Sequence, residues 1–309
     1  MSDRFELDRI RRDDAGFTLL ELLVSMAVLL IVSNFVFTGV LRLTNVNRSV
    51  HNRSEMHSGV RNATELLQQE IGQAGRISLP GPVALTGAVA MGTSTVGVSS
   101  ADGIFVGEFL VIGGPSQETI TVTAVDANAN TITATFASAH ADGTPVLVFG
   151  GFREGVVPPS AANGSSASVL KIFGDVNGTG QMSYVEYTCD PVAGSLYRNA
   201  MDFDAAVKPD LTVGQVLLDN VLANPDGTDC FTYQEQWVGG LPFVVQVAIT
   251  LTVETEDPDP ITGLFQTETK ALLNVSPRNV FHVWQLQSLS INNRVQVTPQ
   301  SVTALLPDL

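Results

Sequence analysis

The sequence predicts an α+β fold: a long N-terminal α-helix, transmembrane in its first half, packed on an antiparallel β-sheet head with an inserted β-rich module. Three observations predict it. From Phe17 to Leu41 the chain runs 25 residues with Glu21 as its only charge. An apolar stripe then continues through Leu43, Val46, Val50, Val60, Ala63, Leu67, Ile71 and Ala74, mostly at three- and four-residue steps. Beyond Pro82 the sequence turns small, Thr-rich and Val-rich, with the two-residue alternation of β-strands.

Composition narrows the class. With 44% hydrophobic and 15% charged residues, the 309-residue chain is globular rather than disordered. Sixteen basic against thirty-one acidic residues give a formal charge of -15, the wrong sign for tracking phosphates, so nucleic acid is excluded as a direct partner of the whole chain. No run of Lys or Arg is longer than Arg11–Arg12.

Residues 1–16 read as a leader. Arg4, Arg9, Arg11 and Arg12 precede the apolar run, and the five acidic residues among them count little in orientation, so the N-terminus stays cytoplasmic. Residues 17–41 at ~1.5 Å per residue cross a hydrocarbon layer of ~30 Å. A secretory signal is the first alternative, but its apolar core is only ~7 to 15 residues and ends in a small-residue cleavage site. A plain signal anchor is the second, and it leaves Glu21 inside the apolar run without an explanation.

The junction reads Gly16, Phe17, Thr18, Leu19, Leu20, Glu21, Leu22, Leu23, Val24. It resembles the class III signal of type IV prepilins. That resemblance implies cleavage by a prepilin peptidase between Gly16 and Phe17 and N-methylation of Phe17. In a filament, Glu21 would face the terminal amine of a neighbouring subunit, because opposite charges in an apolar bundle attract strongly and neither is readily left alone.

Residues 42–77 complete the helix on the periplasmic side. A helix from Phe17 to about Ala74 would be ~85 Å long, and Gly75, Pro80, Gly81 and Pro82 end it. Residues 78–152 form the inserted module. Glu118–Val125 and Thr131–Phe136 alternate around turn residues Asp126–Asn130 as a hairpin, and Phe105–Ile112 with Val146–Phe149 is a matching pair. A packing role for this module is weighed against ligand binding by an exposed insertion.

The Gly-, Ser- and Ala-rich stretch Pro158–Ser168 reads as a linker. Within residues 153–284 the predicted strands are Leu170–Phe173, Met182–Cys189, Leu196–Asn199, Val216–Val221, Phe231–Glu235, Phe243–Glu254 and Phe265–Val275. Residues 285–309 are left as a C-terminal tail. This region resembles the heads of larger minor pilins and pseudopilins of the PilW and general-secretion J types. The residues that carry it are Asp175, Asn177, Gly178, Tyr184, Tyr187, Asp190, Leu196, Tyr197, Arg198, Pro277, Arg278 and Asn279. The resemblance covers 16 to about 75 and 169 to 280, and leaves out 83–150 and the end after Trp284.

Cys189 and Cys230 lie downstream of the apolar segment, where export would favour a disulfide worth ~4 kcal/mol by loop closure. Two separate buried thiols are the alternative. Asp175, Asn177, Thr179, Gly180, Ser183 and Glu186 fit calcium-loop spacing, which competes with a hairpin turn on Asn177 and Gly178. Calcium is therefore the one cofactor considered, and a melting temperature that ignores calcium and chelator would end that reading.

His51, His57, His140 and His282 have no metal-ligand spacing and read as solvated. There is no Gly-x-Ser-x-Gly, no phosphate loop and no Cys-x-x-Cys, so nothing supports an enzyme. Trp237 and Trp284 read as core. The resemblance implies a structural minor pilin, anchored in the inner membrane with a periplasmic head, that primes or caps a type IV pilus. The partners implied are the peptidase, other pilin or pseudopilin subunits, an inner-membrane assembly platform and membrane lipid. A type II secretion pseudopilin and a tip adhesin are the alternatives.

Overall fold

The computed structural model describes residues 18–203, 205, 211, 213–300 and 302. Helix α1 runs unbroken from Leu19 to Gln73 and is about 82 Å long. Thr18 caps its start, with the Oγ1 accepting from the Glu21 N–H at 3.3 Å. At the other end Gly75 takes φ +78°, a conformation that stops the helix without a Cβ penalty.

The inserted region follows with β1 (Val83–Ala84), β2 (Gly92–Gly97), β3 (Phe109–Ile112), β4 (Glu118–Asp126), β5 (Thr131–Phe136) and β6 (Pro145–Val148). These six form one sheet in the order β1-β6-β3-β4-β5-β2. The expected β4–β5 hairpin is present, and β3 pairs with β6 through Leu110↔Val148. Alternation puts Ile120, Val122, Ile132, Ala134 and Phe136 on one face, where they join Leu85, Leu110 and Val146 in a core belonging to the module alone.

The head contains β7 (Gly151–Phe152), β8 (Val169–Gly174), β9 (Ser183–Asp190), β10 (Ser195–Asp202), β11 (Val216–Asp219), β12 (Val221–Leu222), β13 (Phe231–Val238), β14 (Leu241–Glu254) and β15 (Thr267–Val275). Helix α2 (Arg278–Ser288) and strand β16 (Val295–Gln296) follow. One sheet has the order β11-β10-β9-β8, and a second has β12-β14-β13 with β15 also on β14. Both cover the C-terminal part of α1, whose Met56, Val60, Ala63, Leu67 and Ile71 are buried with Leu170, Ile172, Val185, Val244 and Ile249. At ~1.5 to 3 kcal/mol per buried apolar side chain, this stripe holds helix and head together. Leu43, Val46 and Val50 belong to the same periodic pattern but stay exposed, so the packed part of the stripe begins at Met56.

Four expectations change. Pro158–Ser168 is not a loose linker, since Ala167 O accepts from Phe231 N–H, Ser168 O from Cys189 N–H, and Ser166 O from the Tyr233 hydroxyl. The residues after Trp284 continue α2 to Ser288, and Gln296 bonds both Phe109 backbone groups at 2.8 Å. Trp237 is 59% exposed rather than core. The register shift beside Gln234 and Glu235 places its extra residue, Val245, on β14, so β13 keeps its alternation; Trp237 lies at the end of the strand, opposite Pro242 and beside the Gly239–Gly240 turn, where it is left uncovered. His140 is buried against Glu118 at 2.6 Å, where a solvated position was expected. Burial opposes the Glu118 charge, but hydrogen bonds from His140 and from the Ala137 and Ser138 N–H groups outweigh it and lower the carboxyl pKa.

Candidate functional site

The arm of α1 is apolar on every side. Leu19, Leu20, Leu22, Leu23, Val24, Leu29, Leu30, Phe35 and Phe37 all face outward, and no part of the head covers them. A helix greasy all round cannot end in water, and this one is long and apolar enough to cross a membrane. Glu21 is its one carboxylate, placed in the first turn, where the helix dipole favours a negative charge. Gly16 and Phe17 lie outside the described residues.

Farther along the same helix, Glu70 sits inside the apolar stripe and is 2% exposed. Its Oε1 accepts from Arg198 Nη2 at 2.5 Å, and its Oε2 from Arg198 Nε at 3.3 Å and from the Tyr187 hydroxyl at 2.5 Å. Strands β9 and β10 present these two partners opposite each other in register. Burial works against the Arg198 charge, but the Glu70 carboxylate outweighs it and holds the guanidinium pKa above its ordinary value. Burial and the same carboxylate push the Tyr187 hydroxyl pKa up. A forked ion pair with a third hydrogen bond sets the rotation and height of the head on the helix. Sequence reading named Tyr187 and Arg198 but missed Glu70. Its signal was an acid flanked by Leu67, Ile71 and Ala74 on a face that is otherwise apolar.

Cys189 and Cys230 are joined as a disulfide across a sequence separation of 41, tying the end of β9 to the start of β13. The residues of calcium-like spacing are arranged as a turn. Asp175 is fully buried, and its carboxylate accepts from Thr179 N–H, Gly180 N–H and Ser78 Oγ at 2.9, 3.1 and 2.6 Å. Asn177 and Thr179 are exposed, Ser183 opens β9, and Glu186 lies inside that strand accepting from the Tyr184 hydroxyl at 3.0 Å. Asp175 would have to release those donors to serve a cation. Among the described residues no three His, Cys, Asp or Glu side chains gather as a metal site.

The family model of the prokaryotic N-terminal methylation motif matches residues 11–33. The N-terminal segment is a type IV prepilin-like signal. This signal implies processing by prepilin peptidase and assembly with other pilin-type subunits, a structural role of the pilin type. With the apolar arm behind it, the prepilin-like signal fits membrane anchoring and an extracytoplasmic filament. No curated protein matches the chain.

Proposed function

We propose that this chain is a minor subunit of a type IV pilus, held in the inner membrane by residues 17–41 until it is trimmed between Gly16 and Phe17 and lifted into the filament to prime or cap it. The observation that carries the reading is the uncovered apolar arm with one carboxylate in its first turn, rigidly continuous with a spine that the head grips through Glu70. Two separate β regions on one spine make a bulky head, which would crowd a uniformly packed shaft and suits an end position.

Mass spectrometry of the mature chain tests the proposal. It should begin at N-methylated Phe17, and Gly16→Val should leave an unprocessed band. A mature chain beginning elsewhere, or normal trimming of the Gly16 variant, overturns the reading. Co-purification with secretin-type export subunits in place of pilus subunits would reassign the same spine to a secretion pseudopilus.

A further inference from the structure

Three contacts between α1 and the second half of the head form an ordered series. Asn279 Nδ2 donates to Gln73 O at 3.1 Å, Glu268 pairs with His57, and Asp259 Oδ2 accepts from Ser49 Oγ at 3.0 Å. Descending from 279 through 268 to 259 therefore moves down the helix from 73 to 49, toward the arm. The β14–β15 turn, residues 260–265, lies beyond the last of these contacts.

That turn is built rather than loose. Asp259 is 7% exposed; its carboxylate accepts from Ile261 N–H at 2.7 Å and from Gln266 Nε2 at 2.6 Å, and its carbonyl accepts from Gly263 N–H at 2.7 Å. The frame presents Ile261, Leu264 and Phe265 to the outside, 62%, 69% and 50% exposed. Pro260, Thr262 and Gly263 complete a tip without any charge. Water gains nothing from such a display at the end of an otherwise acidic chain.

The tip is at the right height for lipid. Ser49 is ~12 Å along the helix from Leu41, where the apolar run ends. The headgroup layer on each side of the hydrocarbon is ~5 to 7 Å thick, and two extended residues span ~6.6 Å, so a turn hanging below Ser49 reaches it. Arg42, Arg48 and Arg53 are exposed on the helix beside it and would meet lipid phosphates. The exposed acids Glu256 and Asp257 sit farther up, where Asp257 O accepts from Asn52 Nδ2 at 3.4 Å.

We infer that Ile261, Leu264 and Phe265 form a second membrane contact, seated in the interfacial layer of an anionic phospholipid surface beside the point where α1 enters it. The inference rests on the reading that the arm spans the membrane. With the helix it gives the waiting subunit two points of attachment, which fixes the tilt of the head before assembly. Leaving the membrane then requires the tip to be withdrawn along with the arm.

Bromolipid quenching of the full-length chain tests this, in vesicles of phosphatidylcholine with phosphatidylglycerol. Tryptophan is introduced by Phe265→Trp, by Leu264→Trp as an independent second probe, by Phe35→Trp in the arm, and by Val192→Trp at a fully exposed turn on β9–β10. The emission added by each is read against the parent chain. Phe265→Trp and Leu264→Trp should lose emission to brominated lipid, less than Phe35→Trp and more than Val192→Trp, and the loss should shrink in phosphatidylcholine alone. Quenching of Phe35→Trp with none at 264 or 265 overturns the inference and leaves the membrane arm standing. No quenching at Phe35→Trp overturns both. Emission at 265 that is unchanged in vesicles but altered in assembled filaments overturns the lipid contact and assigns the tip to a neighbouring subunit.

Discussion

Glu70 shows how one buried charge becomes a structural decision. An acid in an apolar stripe is tolerated only because Arg198 and Tyr187 use both of its oxygens. Removing it strands a half-buried guanidinium in the core, so Glu70→Ala should cost ~3 to 5 kcal/mol of head stability, read as a lower denaturant midpoint. Tyr187→Phe deletes one hydrogen bond and keeps the ion pair, so its cost should be ~1 kcal/mol. Glu108 is the opposite case. It is fully buried, its Oε2 accepts from Phe105 N–H at 3.2 Å, and its Oε1 has no partner among the described residues. Burial outweighs that hydrogen bond and pushes its pKa from 4.5 to about 8. Between those values the unfolded chain has released a proton that the folded chain keeps. Stability from this group is therefore complete below about 4.5, declines as pH rises, and levels off above about 8, a swing on the order of a few kcal/mol. Glu108→Gln should flatten that decline, visible as a smaller difference between melts at pH 5 and pH 8 than the parent shows. The environment of neither acid was legible in the sequence, because the partners of Glu70 come from strands more than a hundred residues away and Glu108 has no ion-pair partner among the described residues.

At the scale of elements, α1 and most strands could be read from period alone. The long helix ends within a residue of the position that Gly75 and the prolines set, the runs around Asp126–Asn130 emerge as antiparallel partners, and so do the predicted strands Phe243–Glu254 and Phe265–Val275. Helix α2 was missed although Val280, Val283, Trp284 and Gln287 keep helical spacing. A stretch of eleven residues without an N-cap side chain and following a strand gave too short a signal. The extra residue Val245 in β14 was equally silent, and so was the end-of-strand position that leaves Trp237 uncovered. Gly75 joins these elements. Its N–H donates to Phe173 O at 2.8 Å, its carbonyl accepts from Phe152 N–H at 2.9 Å, and a Cβ would sit 2.9 Å from both Phe152 O and Val280 Cγ2. Gly75→Ala combines left-handed backbone strain of ~1 to 2 kcal/mol with that clash. It should lower the melting temperature of the head by several degrees, whereas Gly72→Ala, inside the helix with nothing near its Cβ, should leave it level or slightly higher.

Taken whole, the molecule joins an apolar end to a polar one through a single unbroken helix. Nothing in the head covers Glu21, and the same helix that carries it in the first turn carries Glu70, which is bonded to the β-sheet through Arg198. A charge at the apolar end is unfavourable in lipid unless it is met, and in the folded chain no basic side chain among the described residues lies within the arm to meet it. The nearest cation that trimming would create is a terminal amine at residue 17, four positions away in the same chain and equally available on a neighbour. In one chain the amine would be only four residues from Glu21, and pairing there would satisfy the charges without fixing any register. Pairing between chains sets one helix against another at a defined step. Glu21→Gln separates these outcomes, because it removes the charge while preserving size and the Thr18 cap. The variant should be trimmed and methylated as the parent is, should stay in the membrane fraction, and should be depleted from sheared filaments. Entry of Glu21→Gln into filaments at the parental level would show that the carboxylate serves only the isolated subunit.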